Sequence, residues 1–81
     1  MKVFVVTLRV VNGKEVFDYL EHVASSKERA NEFIDDRLLY RAACGYNVTK
    51  DCSNVPNMVA LFSNGSSSGA FYIYEKEIDK R

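Results

Sequence analysis

Arg37 and Arg41 lie four residues apart in the stretch Phe33-Ile34-Asp35-Asp36-Arg37-Leu38-Leu39-Tyr40-Arg41. In a helix that spacing stacks two guanidinium groups one turn apart, and paired arginines suit bidentate capture of a carboxylate or phosphate. On a helical wheel both fall near the middle of the apolar face, among Phe33, Ile34, Leu38 and Cys44. Unpaired charge is costly to bury. Two readings follow. Either the pair is an anion site for a small ligand or nucleotide, or the stems lie along the core and the charged heads snorkel to water where the helix overhangs its sheet.

The other groups capable of chemistry form weaker patterns. Glu32, Asp35 and Asp36 make an acidic patch that could hold a metal or exchange protons, but spaced along one helix side they read as ordinary solvated charge. His22 is the only histidine, and Cys44 and Cys52 are the only cysteines. One histidine and two cysteines cannot complete a tetrahedral zinc site without a carboxylate. A Cys44–His22 nucleophile and base pair has no local signature behind it, and a Cys44–Cys52 disulfide depends on a distance that sequence does not give. Gly65 and Gly69 flank serines, with no lysine or helix following as a phosphate loop requires. No base, nucleophile and orienting group cluster, so neither an enzyme nor a bound cofactor or metal is expected.

Tyr72 and Tyr74 share one face of a strand whose other face carries Phe71 and Ile73. Tyrosine is enriched at protein interfaces, and an aromatic sheet face can also stack RNA bases. Eleven basic residues are balanced by eleven acidic ones. Nucleic-acid binders usually carry a basic excess, so the balance disfavours the RNA reading.

These residues need elements to position them. The chain of 81 residues, 47% hydrophobic and 27% charged, reads as one folded domain over residues 1–81. At this size a domain buries only about 60% of the surface its unfolded chain exposes. No targeting segment or run of about 20 apolar residues appears. Two cysteines are few for a small secreted scaffold. A cytoplasmic chain outside the membrane is expected, and the Asn47-Val48-Thr49 and Asn64-Gly65-Ser66 glycosylation patterns carry no weight there.

The first strand, Val3 to Val11, is apolar on both faces: Phe4, Val6, Leu8 and Val10 on one, Val3, Val5 and Val11 on the other. Asn12-Gly13 predicts a type I′ hairpin turn. That turn pairs Val11 with Lys14, Leu8 with Phe17, Val6 with Tyr19 and Phe4 with Glu21. Phe17, Tyr19 and Val23 then face the core, and His22 falls opposite Val3 on the other side. Helical spacing of Phe17, Leu20 and Val23 is the competing reading of this segment. Ser25-Ser26-Lys27-Glu28 fits a capping box with Ser25 as cap, and Gly45 suits a left-handed stop. The helix between them, about Ser26 to Cys44, is roughly 28 Å long. Leu39 and Ala43 on its polar side raise a kink near Asp36. Tyr46 to Asn57 reads as a loop with one short strand or turn near Asn47-Val48-Thr49, followed by strands at Met58–Ser63 and Ala70–Ile78. Asn64–Gly69 reads as a flexible loop between them, and the tail from Asp79 as frayed.

Element order therefore predicts an α+β fold: ββαββ, a four-stranded mainly antiparallel sheet of order 2-1-4-3 with one helix on one face, in the β-grasp-like arrangement. One helix covers one face. The other carries Val3, Val5, Val16, Leu20, Tyr72 and Tyr74, a patch expected to be covered by a protein partner or a second copy. The function expected is a small non-enzymatic protein-binding module that self-associates as a homodimer. A short, neutral chain without catalytic motifs is also compatible with a phage or mobile-element accessory protein that binds and inhibits a host enzyme. The alternatives are the anion site at Arg37 and Arg41 and the RNA-binding sheet face.

Overall fold

A computed structural model describes residues 1–50 and 57–78. Its elements are β1 (Lys2–Asn12), β2 (Glu15–Ala24), α1 (Lys27–Ala43), β3 (Asn47–Lys50), β4 (Met58–Ser63) and β5 (Ser67–Glu77). The strands form one sheet of order β2-β1-β5-β4-β3, and every neighbouring pair is antiparallel. The helix packs on one face, as expected. Four strands keep the expected order, but the sheet has five. The extra one is Asn47–Lys50, a polar edge strand held by pairing to β4. It adds one reversal of chain direction after the helix. Two strands there would return the last strand parallel to the first; three bring β5 back antiparallel to β1. The β-grasp-like expectation gives way to an open antiparallel sheet for that reason.

The β1–β2 hairpin forms, with its turn one residue later than predicted. Asn12 pairs with Glu15, so Gly13 and Lys14 are the loop. Gly13 has φ 66°, while Asn12 keeps a negative φ. Glycine at the first central position, followed by an ordinary residue, fits a II′ turn rather than I′. Val11 therefore pairs with Val16 and Leu8 with Tyr19. A shift of two residues leaves each side chain on its predicted face.

An irregularity opposite Val6 and Thr7 changes that. Thr7 pairs with Leu20 but Val6 pairs with His22, leaving Glu21 as the extra residue of a bulge. Beyond it the faces of β2 exchange. Ala24 enters the core and Val23 turns outward. His22, expected on the open side, stacks on Phe33 of α1 at 4.4 Å and 4°.

The helix starts one residue later than the capping-box reading. Ser26 is the cap, and its hydroxyl accepts from the Arg29 N–H at 3.2 Å. Of two adjacent serines, the second fits because Ala30, Ile34 and Leu38 then form the buried stripe. Glu28 is not at the position from which a capping-box carboxylate reaches back. The far end stops at Gly45, φ 95°. There Gly45 N–H donates to the Ala42 carbonyl and Tyr46 N–H to that of Arg41, each at 3.1 Å. This is a Schellman closure. The helix runs unbroken past Asp36, and Leu39 simply lies exposed.

The core gathers Val6, Leu8, Ala24, Ala30, Ile34, Leu38, Ala60, Phe62, Phe71 and Ile73. Burying a side chain such as Ile34 or Phe71 contributes about 1.5–3 kcal/mol. The β4–β5 connection is a tight turn rather than a long loop. Asn64 Oδ1 accepts from the N–H groups of Ser66 (3.2 Å) and Ser67 (2.9 Å). No described helix is long and apolar enough to cross a membrane.

Candidate interaction surface

Side chains alternate across a strand, so the sheet face away from α1 is defined by register. Val5 pairs with Val23 on one side and Tyr74 on the other; Thr7 pairs with Leu20 and Tyr72; Arg9 with Asp18 and Ala70; Val11 with Val16 and Ser68. All the residues expected in the open patch therefore lie on one face, with Val3 at its end opposite Lys76. Their cover differs. Leu20 is 68% exposed, Val16 55% and Val23 50%, because β2 is the edge strand and has no neighbour on its outer side among the described residues. Val3, Val5, Tyr72 and Tyr74 are half-buried by flanking strands.

Tyr72 and Tyr74 stack, with centroids 6.1 Å apart and planes 16° from parallel. Between the row of Val11 and Val16 and the row of Leu20, Thr7 and Tyr72 runs the one ion pair of this face among the described residues, Arg9 Nε to Asp18 Oδ1 at 2.9 Å. That hydrogen bond, with the charge of Asp18, raises the Arg9 pKa further above its ordinary value. The centre of the face is thus neutral. Sequence reasoning missed Val23, because the bulge that turns it outward leaves no mark in the hydrophobic pattern.

Arg37 and Arg41 do not sit mid-face. The buried stripe is Ala30, Ile34 and Leu38, and the arginines flank it. Arg37 Cζ lies 5.0 Å from the centre of the Phe33 ring. Arg41 Cζ lies 4.7 Å from that of Phe62 and 5.5 Å from that of Tyr46. Each guanidinium caps its own rings, a favourable cation–π arrangement, so ring stacking accounts for both positions. Neither makes an ion pair with a described carboxylate.

The remaining chemical candidates are dispersed. Asp35 pairs with Lys50 of β3. Glu32 and Asp36 are exposed on the helix. Cys44 is a free, exposed thiol at the helix end, whereas His22 stacks on Phe33 nearer its start. Cys52 lies outside the described residues. Among the described residues no group of three His, Cys, Asp or Glu side chains could hold a metal ion. A groove of about 310 Å³ between α1 and β3 is lined by Asp35, Leu38, Leu39, Ala42, Val48 and Lys50, nearly all through apolar atoms. In comparisons with protein families, curated proteins and solved structures, none matches this chain.

Proposed function

We propose that this chain is a small non-enzymatic protein-binding module that self-associates through the sheet face opposite α1. The observation that carries this reading is the apolar band from Leu20 and Val23 on β2, across Val5 on β1, to Tyr72 and Tyr74 on β5, with Val16 beyond the Arg9–Asp18 pair. Contiguous exposed apolar surface on a small protein marks an interaction site.

Two features favour a second copy as the occupant. The central charges are already paired as Arg9 and Asp18, so the centre of an identical face brings no unopposed charge against it, and Lys76, opposite Val3, stands at the rim. The area is also sufficient. The five strands, of 11, 10, 4, 6 and 11 residues, at roughly 3.3 Å per residue and about 4.8 Å apart, offer a face of about 670 Å², at the smaller end of the roughly 600–1,000 Å² per partner of specific interfaces.

Light scattering across a dilution series tests the reading. A dimer at high micromolar concentration is expected, converted to monomer by Leu20→Lys with the circular dichroism spectrum unchanged. A strict monomer at that concentration removes self-association through this face.

A further inference from the structure

On the helix side of the same sheet, one region lacks the cover its side chains call for. An α-helix is about 10 Å across and neighbouring strands are about 4.8 Å apart, so one helix covers about two strands. The sheet has five. Contacts at both flanks of α1 locate what it leaves open. Asp35 reaches Lys50 on β3, and Phe33 stacks on His22 of β2. Toward its end the helix is held over β4, where Arg41 rests on Phe62. The helix thus leaves the turn-proximal half of β2 bare.

Phe17 and Tyr19 stand there. Register puts them on the helix side, Phe17 opposite the half-buried Val10 and Tyr19 opposite the buried Leu8. Both rings remain exposed, 6.4 Å apart and near parallel. The flank of α1 that carries Phe33 repeats through Arg37, Tyr40 and Arg41 at helical spacing. Tyr40 is exposed, and neither arginine has a carboxylate partner among the described residues.

We infer that Val10, Phe17 and Tyr19 form the floor, and Arg37, Tyr40 and Arg41 the wall, of a seat for a second helix, supplied by a partner protein as an acidic amphipathic segment. Phe17 stands three strands from Phe62, under the end of α1, about 14 Å at 4.8 Å per strand, which admits a second helix packed 8–10 Å from the first. The charge fits as well: the wall offers guanidinium groups held in place by rings, which suit carboxylates. An apolar stripe on the incoming helix would cover the floor, the helix-in-groove mode of recognition. This seat is on the opposite side of the sheet from the self-association face and does not depend on it.

The probe is a fluorescein-labelled 16-residue helical peptide with leucines on one stripe and glutamates on its flanks, beside a counterpart with lysine for every glutamate. Anisotropy titrations are expected to show salt-sensitive binding of the acidic peptide and none of the basic one. Arg37→Glu and Tyr19→Ser are each expected to weaken it about tenfold or more, since both lie in the contact. Arg37 and Tyr19 are exposed, so these variants spare the core; Arg41, lying on Phe62, is left alone. Amide shift changes should centre on Val10, Phe17, Tyr19 and the Arg37 flank. No binding of the acidic peptide, equal binding of both peptides, or binding that survives both variants overturns the proposal. So do shift changes confined to Val5, Leu20 and Tyr74. A dimer broken by Tyr19→Ser but kept by Leu20→Lys makes the occupant a second copy and overturns the partner class. A strict monomer that binds the acidic peptide as described removes the self-association reading alone.

Discussion

Phe17 and Phe62 stand on one row across the sheet, linked through Val10 and Gly69, and both point to the helix side. Phe62 is 3% exposed and Phe17 41%. The same residue type on the same face of the same sheet is core at one end of the row and surface at the other. The hairpins that carry them differ in the same way. In the β4–β5 hairpin, Asn64 ties down the turn, and Gly69 leaves room for the Phe62 ring, which lies where a Cβ would stand. In the β1–β2 hairpin the turn bears no such clamp among the described residues, and the strand behind it shows apolar groups on both faces. Burial here is decided by where one helix lands. The β4–β5 hairpin is built into the core, and the β1–β2 hairpin carries the exposed apolar side chains on which the proposed contacts rest.

Three measurements set that contrast against stability. Phe62→Ala should cost about 3–5 kcal/mol, a large share of the roughly 4–12 kcal/mol expected for a domain of this length. Phe17→Ala should cost less than about 1 kcal/mol. Urea denaturation of the two variants decides the matter, and equal losses would break the comparison. Gly69→Ala is next. An ideal Cβ at Gly69 falls 2.2 Å from Phe62 Cζ, so overpacking should cost about 1–3 kcal/mol. In a cycle with Phe62→Leu the two losses should be non-additive, because the clash is with the ring itself. The smallest difference is at the turns. Asn64→Ala removes the acceptor of two backbone N–H groups and should cost about 0.5–1.5 kcal/mol. Asn12→Ala, at the matching place in the other hairpin, should stay within about 0.5 kcal/mol. A thermal melt of both resolves them, and a larger loss at Asn12 would reverse the assignment of roles.

Much of the fold was legible in the sequence because local signals agreed with it. The apolar residues on both faces of β1 and β5, the glycine-bearing turn after β1 and the stop at Gly45 mark four of the strands and the helix that form, but not the fifth strand. The failures have physical causes. The Asn12-Gly13 pair predicts a I′ turn, but placing Gly13 first in the loop satisfies the backbone without a positive φ at asparagine. The bulge at Glu21 turns His22 toward Phe33 and Val23 outward, and it answers to the position of α1, which no local pattern encodes. β3 is polar at three of its four residues and is a strand because β4 offers it an edge. At the candidate surface, the face of every residue but Val23, which lies beyond the bulge, was legible from period alone. Exposure was not, since Leu20 and Val5 point the same way but only Val5 has strands on both sides.

The neighbours β1 and β5, both inside the sheet, are also the first and the last strands described, with Lys2 paired to Glu77 and Asn12 to Ser67. During synthesis the β1–β2 hairpin therefore emerges complete while the strand that flanks β1 has yet to be made. Until then β1 presents an unpaired row of backbone donors and acceptors beside some of its most apolar residues, the condition that invites wrong pairing between chains. Closing the middle of this sheet requires its most distant partners in sequence, so folding should be slow for a chain so short, and sensitive above all to the supply of β5.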